Sequence, residues 1–292
     1  MNKGNNKSVA FAIVDILAYI EVLEVEDEKY SILFKVALAS ILMNISNVFR
    51  NGKCLSYRKD WQKRTISRSE VHSKFLSYCK DVLLLDIRSR ENIKPFVQNF
   101  INFNFGDSRN YLKTLHDNTI DLVITSPPYL NSRDYTDIYR LELWLLGYIK
   151  NFEEEKKLRR SALTSHVQIK LPDTSYPQIE DITTFISHLE GLNGSLWNRN
   201  IPNMIKGYFN DMEQIFLILK NKVKRDGKIY LNVSNSAYGG IICEVDTILA
   251  KIAESNGFTI EEIRIARHIN SSKQQNLKEK LRESILVIKN TR

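Results

Sequence analysis

The stretch that decides the fold is Asp121–Tyr129, which reads Asp-Leu-Val-Ile-Thr-Ser-Pro-Pro-Tyr. Its apolar run predicts a strand that ends abruptly at Ser126. Pro127 and Pro128 lack backbone N–H donors and have a fixed φ, so the chain leaves this strand rigid and extended. The turn offers free carbonyl acceptors, and the aromatic ring of Tyr129 follows at once. These are the features that an enzyme needs to hold the exocyclic amine of an extruded base.

The composition is that of a globular protein. The chain has 292 residues, of which 43% are hydrophobic and 26% charged, with a formal net charge of +8. This is enough for one large α/β domain or two small ones, and it excludes wholesale disorder. Cys54, Cys79 and Cys243 lie far apart, which argues against a disulfide framework and against a cysteine metal site. We expect a reduced, cytoplasmic setting.

One segment raises the question of a membrane span. Ser31–Phe49 is long enough, but Lys35, Asn44 and Asn47 interrupt it, and its apolar residues recur at helical spacing. Met1–Ser8 lacks the apolar core of a signal peptide. The sequence therefore predicts a core-facing helix in a soluble protein, with no membrane partner.

The pattern of apolar residues changes near residue 98. Before it the pattern favours helices, and after it short apolar runs alternate with helical patterns, which indicates an α/β sheet. We expect a helical N-terminal region over 1–98 and a catalytic portion over 99–292, with a long polar insertion at about 152–203 that reads the target. The predicted strands are Ile101–Phe105, Asp121–Thr125, Gly227–Val233, Thr259–Ala266 and Ser284–Lys289. A helix is predicted over Val245–Ser255, and Asn256-Gly257 would end it.

Several motifs together suggest a family. Ser126–Tyr129 has the form Ser/Asn/Asp-Pro-Pro-aromatic. Phe105–Arg109 (FGDSR) comes at the end of the predicted strand Ile101–Phe105, where the family named below has its motif III. Further matching segments are Lys35–Tyr57, Leu130–Tyr135, Tyr139–Trp144, Arg160–Gln168 and Val233–Gly240. Across roughly residues 30–290 the chain resembles the amino-group DNA methyltransferases, which modify N4 of cytosine or N6 of adenine. By itself Pro-Pro-Tyr would fit a plain turn with a buried tyrosine, and the surrounding matches reverse that preference.

The resemblance implies a mechanism. Ser126 and the Pro127 carbonyl would accept hydrogen bonds from the target amine, Pro128 would hold the turn, and Tyr129 would stack on the flipped base. Catalysis would be positioning and electrostatics, without a metal. Serine at the first position favours cytosine-N4 methylation, and adenine-N6 methylation is the alternative.

The resemblance also implies S-adenosylmethionine as cofactor. Asp107 would accept a hydrogen bond from its adenine amino group, and the alternative is that Asp107 caps the helix that follows. The family's glycine-rich motif I is missing, because none of the eleven glycines forms Gly-x-Gly. In the usual strand order 3-2-1-4-5-7-6, the chain would supply strands three to seven of a partial Rossmann-like class I methyltransferase sheet.

The missing strands leave three interpretations. A second polypeptide carries motif I, or the chain is an inactive fragment, or the N-terminal helices replace the missing part. We favour a split enzyme with a partner polypeptide, because a gap in the sheet would expose edge groups.

The charge distribution suits double-stranded DNA as the substrate. Residues 50–74 and 264–292 each hold eight lysines or arginines against two acidic residues. The competing functions are methylation of RNA or of a protein glutamine, and a non-catalytic DNA-binding or specificity subunit.

Overall fold

The computed structural model describes residues 3–52, 54–90, 102–130, 133–168, 175–192, 194, 196–270, 277 and 279–291. The helices are α1 (Lys3–Glu26), α2 (Glu28–Ile45), α3 (Arg68–Tyr78), α4 (Leu84–Arg90), α5 (Ser108–Thr114), α6 (Tyr135–Ile138), α7 (Arg140–Leu145), α8 (Phe152–Ser161), α9 (Glu180–Gly191), α10 (Ile201–Lys222) and α11 (Val245–Ser255). The strands are β1 (Val48–Asn51), β2 (Cys54–Tyr57), β3 (Ile120–Thr125), β4 (Val223–Ser234), β5 (Ser236–Tyr238), β6 (Ile241–Cys243), β7 (Phe258–Ile269) and β8 (Leu281–Asn290).

The chain forms two compact units. The first comprises Met1–Phe103 and Tyr135–Lys157, and the second comprises Asn104–Asp134 and Leu158–Arg292. The sequence analysis places all of 99–292 in one portion, whereas the structure places Tyr135–Lys157 with the N-terminal helices. The reason is apolar contact, since the leucine side chains of α7 and of the residue that follows it pack on the core of the first unit.

The first unit is built around α1, α2 and α3. The predicted helix within Ser31–Phe49 is present as α2. Of its apolar residues at helical spacing, Ala37, Ile41 and Ile45 are buried as predicted and Leu33 is half-buried, whereas Val36 is 47% exposed. The helix ends at Ile45, and residues 48 onward form the β1–β2 antiparallel hairpin instead. Among the helices of the described residues, none is long and apolar enough to cross a membrane.

Two arginines of the predicted basic region 50–74 stabilise the end of α2. Arg58 donates to the carbonyl of Met43 at 2.8 Å, and Arg64 donates to the carbonyls of Asn44 and Ser46. These are carbonyls that the end of a helix leaves without intrahelical partners, and positive charge is favourable there. These two arginines are therefore used within the fold, and phosphate contacts by the rest of this region stay a prediction.

Carboxylates take up two more arginines of the same region. Arg50 pairs with Glu142, and Arg68 makes a bidentate pair with Asp15. These pairs leave the region less positive towards solvent than its composition suggests.

The second unit contains a four-stranded mixed sheet. The order is β3-β4-β8-β7, with β3 parallel to β4 and with β8 antiparallel to both of its neighbours. Helices α9, α10 and α11 contribute most of the other buried residues to the core of this unit. Four of the five predicted strands and the predicted helix Val245–Ser255 are confirmed. That helix ends before Gly257, whose φ is +82°.

The fifth predicted strand, Ile101–Phe105, is wrong over the residues that can be examined. Residues 102–105 lie in no regular element, and Ile101 lies outside the described residues. Phe103 and Phe105 are 81% and 97% exposed. An apolar run becomes a strand only where a neighbouring strand accepts its hydrogen bonds, and no described strand lies beside this one.

The two edges of the sheet differ in character. Strand β7 carries two irregularities of register and exposed charged residues such as Glu262 and Arg264, features that blunt an edge against further pairing. Strand β3 is short, and within the described part of the chain it pairs with β4 alone. Its Leu122 and Ile124, on the face away from the core, are 50% and 76% exposed.

Candidate active site

The Ser126–Tyr129 turn is placed by the pairing of two parallel strands. Thr125, the last residue of β3, lies opposite Leu231 of β4, so both strands end at the same edge of the sheet. Ser126 is exposed, and the next three residues are half-buried. Leu130 is buried in the core of the second unit and holds the far end of the turn. The predicted strand is present, and the side chain of Ser126, which follows it, faces solvent.

The hydroxyl group of Tyr129 lies in a hydrogen-bond network. It donates to Glu283 Oε1 at 2.6 Å and accepts from Asn232 Nδ2 at 2.8 Å, and Ser126 Oγ lies 3.4 Å away. Burial raises the pKa of the Tyr129 phenol, and the Glu283 carboxylate raises it further. The phenol therefore stays protonated and able to donate at neutral pH.

Glu283 lies at the centre of this network. Its Oε2 accepts from Arg267 Nε at 2.5 Å, and its Oε1 also accepts from Asn232 Nδ2 at 3.1 Å. Burial opposes its ionisation, but the hydrogen bonds from Tyr129, Arg267 and Asn232 outweigh burial and hold the pKa of this carboxyl below its usual value. Glu283 is therefore a buried carboxylate that keeps its charge.

The sequence analysis missed Asn232, Glu283 and Arg267 as members of the site. Asn232 directly precedes the matching segment Val233–Gly240, and Glu283 is one of two acidic residues in the basic region 264–292. An acidic residue among so many basic ones was the available signal. Sheet register then brings them together, because Glu283 lies opposite both Ser234 on β4 and Arg267 on β7.

Asp107 lies before α5 and caps it. Its Oδ1 accepts from the backbone N–H of Arg109 at 2.9 Å, and its two oxygens accept from the Arg109 guanidinium at 2.8–3.0 Å. The hydrogen bond from Arg109 lowers the pKa of Asp107. The capping interpretation is confirmed. Within the described residues, Asp107 bonds to Arg109 and not to the Ser126–Tyr129 turn.

Arg109 extends this cluster to distant parts of the chain. It donates to Asp211 Oδ1 on α10 at 2.5 Å and to the carbonyl of Ser161 at 3.0 Å. The other oxygen of Asp211 accepts from the backbone N–H of Thr164 at 2.8 Å. Through Arg109 and Asp211, the FGDSR segment is thus linked to α10 and to residues 161–164 of the second unit.

A second buried carboxylate, Asp246, lies at the start of α11. It accepts from Arg282 Nε and from Ser284 Oγ, both at 2.7 Å, and from the backbone N–H of Thr247 at 2.8 Å. Burial raises its pKa, but the bonds from Arg282, Ser284 and Thr247 lower it more, so the net shift is downward. Arg282 of the basic region 264–292 is therefore used within the fold, as Arg267 is.

The matching segment Val233–Gly240 forms the end of β4 and a tight hairpin. Strands β5 and β6 are joined by Gly239 and Gly240, whose φ values are +57° and +81°. A two-residue hairpin of this kind needs positive φ at both central residues, which glycine adopts without strain. At Gly239 a Cβ atom would also lie 2.6 Å from the Leu192 side chain. Glycine therefore suits both positions, and at Gly239 the Leu192 side chain leaves little room for a larger residue.

The predicted insertion at 152–203 contains α8, α9 and the start of α10, with 169–174, 193 and 195 outside the described residues. Helix α9 buries Ile182, Phe185, Ile186 and Leu189 in the main core of the second unit. Part of the segment is therefore structural, and its role in reading a target stays a prediction.

Comparison with known proteins gives relatives at 30–31% sequence identity. The chain is 31% identical to the Type II methyltransferase M.BsoBI of Geobacillus stearothermophilus over 77% of its length. It is 30% identical to the Type II methyltransferase M.AvaI of Nostoc sp. over 82% of its length. These matches cover 52% and 54% of the relatives, so the chain spans about half the length of the curated proteins it matches.

Among solved structures, a Thermus thermophilus protein assigned as a DNA modification methylase covers 63% of the chain at 12% identity, with a TM-score of 0.33. That score is too low to indicate a shared fold. No family model matches the chain. The relatives at 30–31% identity are therefore Type II methyltransferases, and the similarity extends over most of this chain and about half of theirs.

Proposed function

We propose that this chain is the catalytic-loop half of a site-specific DNA methyltransferase of a restriction–modification system. It would transfer a methyl group to an exocyclic amine of a flipped base. The observation that carries the proposal is the Ser126–Tyr129 turn, which directly follows a strand and whose tyrosine is held by Glu283 and Asn232. The similarity to Type II methyltransferases supports it over most of the chain.

The chemistry follows from the groups that the turn presents. Ser126 Oγ and the Pro127 carbonyl accept hydrogen bonds from the two N–H groups of the target amine. Pro128 keeps the turn rigid. Holding both protons withdraws the nitrogen lone pair from conjugation with the ring and directs it outward. The Tyr129 ring stacks on the base and fixes its plane. Each group acts by position and by partial charge.

The proposed target amine is N4 of cytosine. The support is Ser126 at the first position of the motif, and adenine N6 is the alternative. Analysis of digested DNA for N4-methylcytosine and N6-methyladenine after exposure to the enzyme distinguishes the two.

The proposed cofactor is S-adenosylmethionine, which supplies the methyl group as a sulfonium. Asp107 is the candidate for its adenine end, although in this structure both of its oxygens bond to Arg109. The methionine end has no glycine cradle in the sequence. The residues of this chain thus provide only part of a cofactor site.

The proposed remainder of the site is a motif I half, carried by a second polypeptide or by further chain. Three observations support it. The chain spans about half of its relatives, it contains no Gly-x-Gly, and within the described residues β3 leaves an open edge beside exposed Leu122 and Ile124. Parallel strands are usually covered on both faces, so this edge suits a further strand with its covering helices.

The first experiment measures tritium transfer from labelled S-adenosylmethionine to DNA from a methylation-free host. The chain is expressed with its neighbouring reading frames and compared with Tyr129→Ala. Loss of base stacking, worth about 1–3 kcal/mol, should lower methyl transfer far more than DNA affinity. Equal transfer by the variant and the wild type would contradict the assignment, and DNA binding without any transfer would favour a non-catalytic subunit.

The second experiment measures cofactor binding by calorimetry. The chain alone should bind S-adenosylmethionine weakly or not at all, and affinity and activity should appear together when the motif I half is added. Micromolar binding by the chain alone would contradict the split arrangement and would favour a pocket made by the N-terminal helices.

A further inference from the structure

A buried carboxylate from another strand of the sheet holds the tyrosine of the candidate turn. Tyr129 follows β3 and Glu283 lies on β8, with β4 between these two strands. We infer that Glu283 is a positioning residue, which fixes the Tyr129 ring in its stacking orientation through the phenol hydroxyl. This inference rests on the proposed function and extends it to a residue outside the motif.

The first argument is that Glu283 is fully engaged around the phenol. Its side chain is 8% exposed, and both oxygens are taken. Oε1 accepts from Tyr129 and Asn232, and Oε2 accepts from Arg267. A buried charge is costly unless it is paired and hydrogen-bonded, and here one of the bonding groups is the phenol of the turn.

The second argument concerns the geometry of the ring. A tyrosine has two side-chain torsions, so its plane is fixed once both ends are held. Leu130, buried in the core, holds the backbone end, and Glu283 and Asn232 hold the hydroxyl end. A ring held at both ends presents its face to a base without first having to be ordered.

The third argument is the contrast between arginines on β7. Arg267 is largely exposed, yet it donates to buried Glu283, whereas Arg264 on the same strand pairs with exposed Glu262. Arg267 therefore supports the carboxylate that supports the tyrosine. Two direct hydrogen bonds thus lead from the β7 edge of the sheet to the turn.

The test is a double-mutant cycle between Tyr129→Phe and Glu283→Gln, measured as methyl transfer with the motif I half present. Phenylalanine keeps the ring and removes the hydroxyl, and glutamine keeps the size and removes the charge. We expect Glu283→Gln to lower kcat about tenfold or more with little change in the KM for DNA. In the Tyr129→Phe background it should have no further effect, because the ring then has no hydroxyl through which residue 283 could act on it.

The control is Glu254→Gln. Glu254 is an exposed residue of α11, and its replacement removes one negative charge away from the turn. It should leave transfer unchanged. An equal fold-loss from Glu283→Gln in both backgrounds would overturn the inference, since Glu283 would then act without the phenol. No loss in the Tyr129 background would overturn it as well.

A spectroscopic readout needs neither DNA nor cofactor. The alkaline difference absorbance between the wild type and Tyr129→Phe reports ionisation of this one phenol. Glu283→Gln should shift that ionisation to lower pH, because the carboxylate no longer opposes the phenolate. An unchanged titration overturns the contact, whereas a shifted titration without methyl transfer by the wild type supports the contact and contradicts the proposed function.

Discussion

At the scale of single residues, neighbouring groups decide what each charged side chain does. Arg58 bonds to backbone carbonyls at the end of a helix, Arg282 to buried Asp246, and Arg267 to the carboxylate beside the candidate turn. From the sequence all three were candidates for phosphate contacts. Part of the positive charge of this chain is thus balanced by acceptors within the fold.

Asp246 provides a prediction at this scale. Because its pKa lies below the usual value in the folded state, its charged form stabilises the fold above the unfolded pKa of about 3.9. That stability is lost as the pH falls through the folded pKa. Asp246→Asn should lower the free energy of unfolding at pH 7 by about 3 kcal/mol, because it leaves the Arg282 pair broken.

Urea unfolding at pH 7 and at decreasing pH measures this difference. The gap between the wild type and the variant should close below about pH 3.9, the ordinary value for aspartate. Asp226→Asn is the control. Asp226 pairs with Lys289 at the surface and has a φ of +63° that asparagine tolerates, so its replacement should have a far smaller effect. A gap that does not narrow as the pH falls below about 3.9 would contradict the role of the Asp246 charge.

At the scale of helices and strands, the spacing of apolar residues correctly predicted those elements whose formation depends on local sequence. Helices α2 and α11 and the four strands of the sheet follow from apolar spacing. The strand predicted at Ile101–Phe105 did not form over its described residues, because an apolar run does not specify a partner. The Glu283–Tyr129 contact could not be predicted from sequence, since the two residues are 154 positions apart and only sheet register brings them together.

The open edge of β3 provides the prediction at this scale. Ile124→Lys places a charge on a side chain that is 76% exposed, so the free energy of unfolding should change by less than about 0.5 kcal/mol. Assembly with the motif I half should be lost, because the charge would be buried there without a partner. Sedimentation of the mixed halves measures assembly.

Val25→Lys is the matched control for that substitution. Val25 is an exposed apolar residue of α1, and its replacement should leave assembly intact. Normal assembly of the Ile124→Lys variant would exclude the exposed face of β3 from the contact.

At the scale of the whole molecule, the formal net charge of +8 suits a polyanionic substrate. We expect affinity for DNA to fall steeply between low and moderate salt. Reversal of charge at Lys280 and at Lys278, which lies outside the described residues, should flatten the plot of log affinity against log salt. The slope should change by about one unit for each phosphate that is no longer neutralised. Fluorescence anisotropy with labelled duplex DNA at several salt concentrations gives this slope.

The control reverses Lys29 and Lys80, two exposed lysines of the first unit, which changes the net charge by the same amount. If both double variants flatten the slope equally, the effect is one of overall charge, and the region 264–292 is not a specific contact surface. A slope independent of salt in the wild type would contradict electrostatic binding altogether.

The uncovered edge of β3 in the described part of the chain has a consequence for the life of the protein in a cell. A copy without the completing half presents unpaired backbone groups beside Leu122 and Ile124, and such surfaces attract chaperones and proteases. Surplus copies would be removed, whereas assembled copies would be protected. Under the proposed split arrangement, the supply of the other half would set the abundance of this chain, and degradation would keep the two in proportion without matched synthesis.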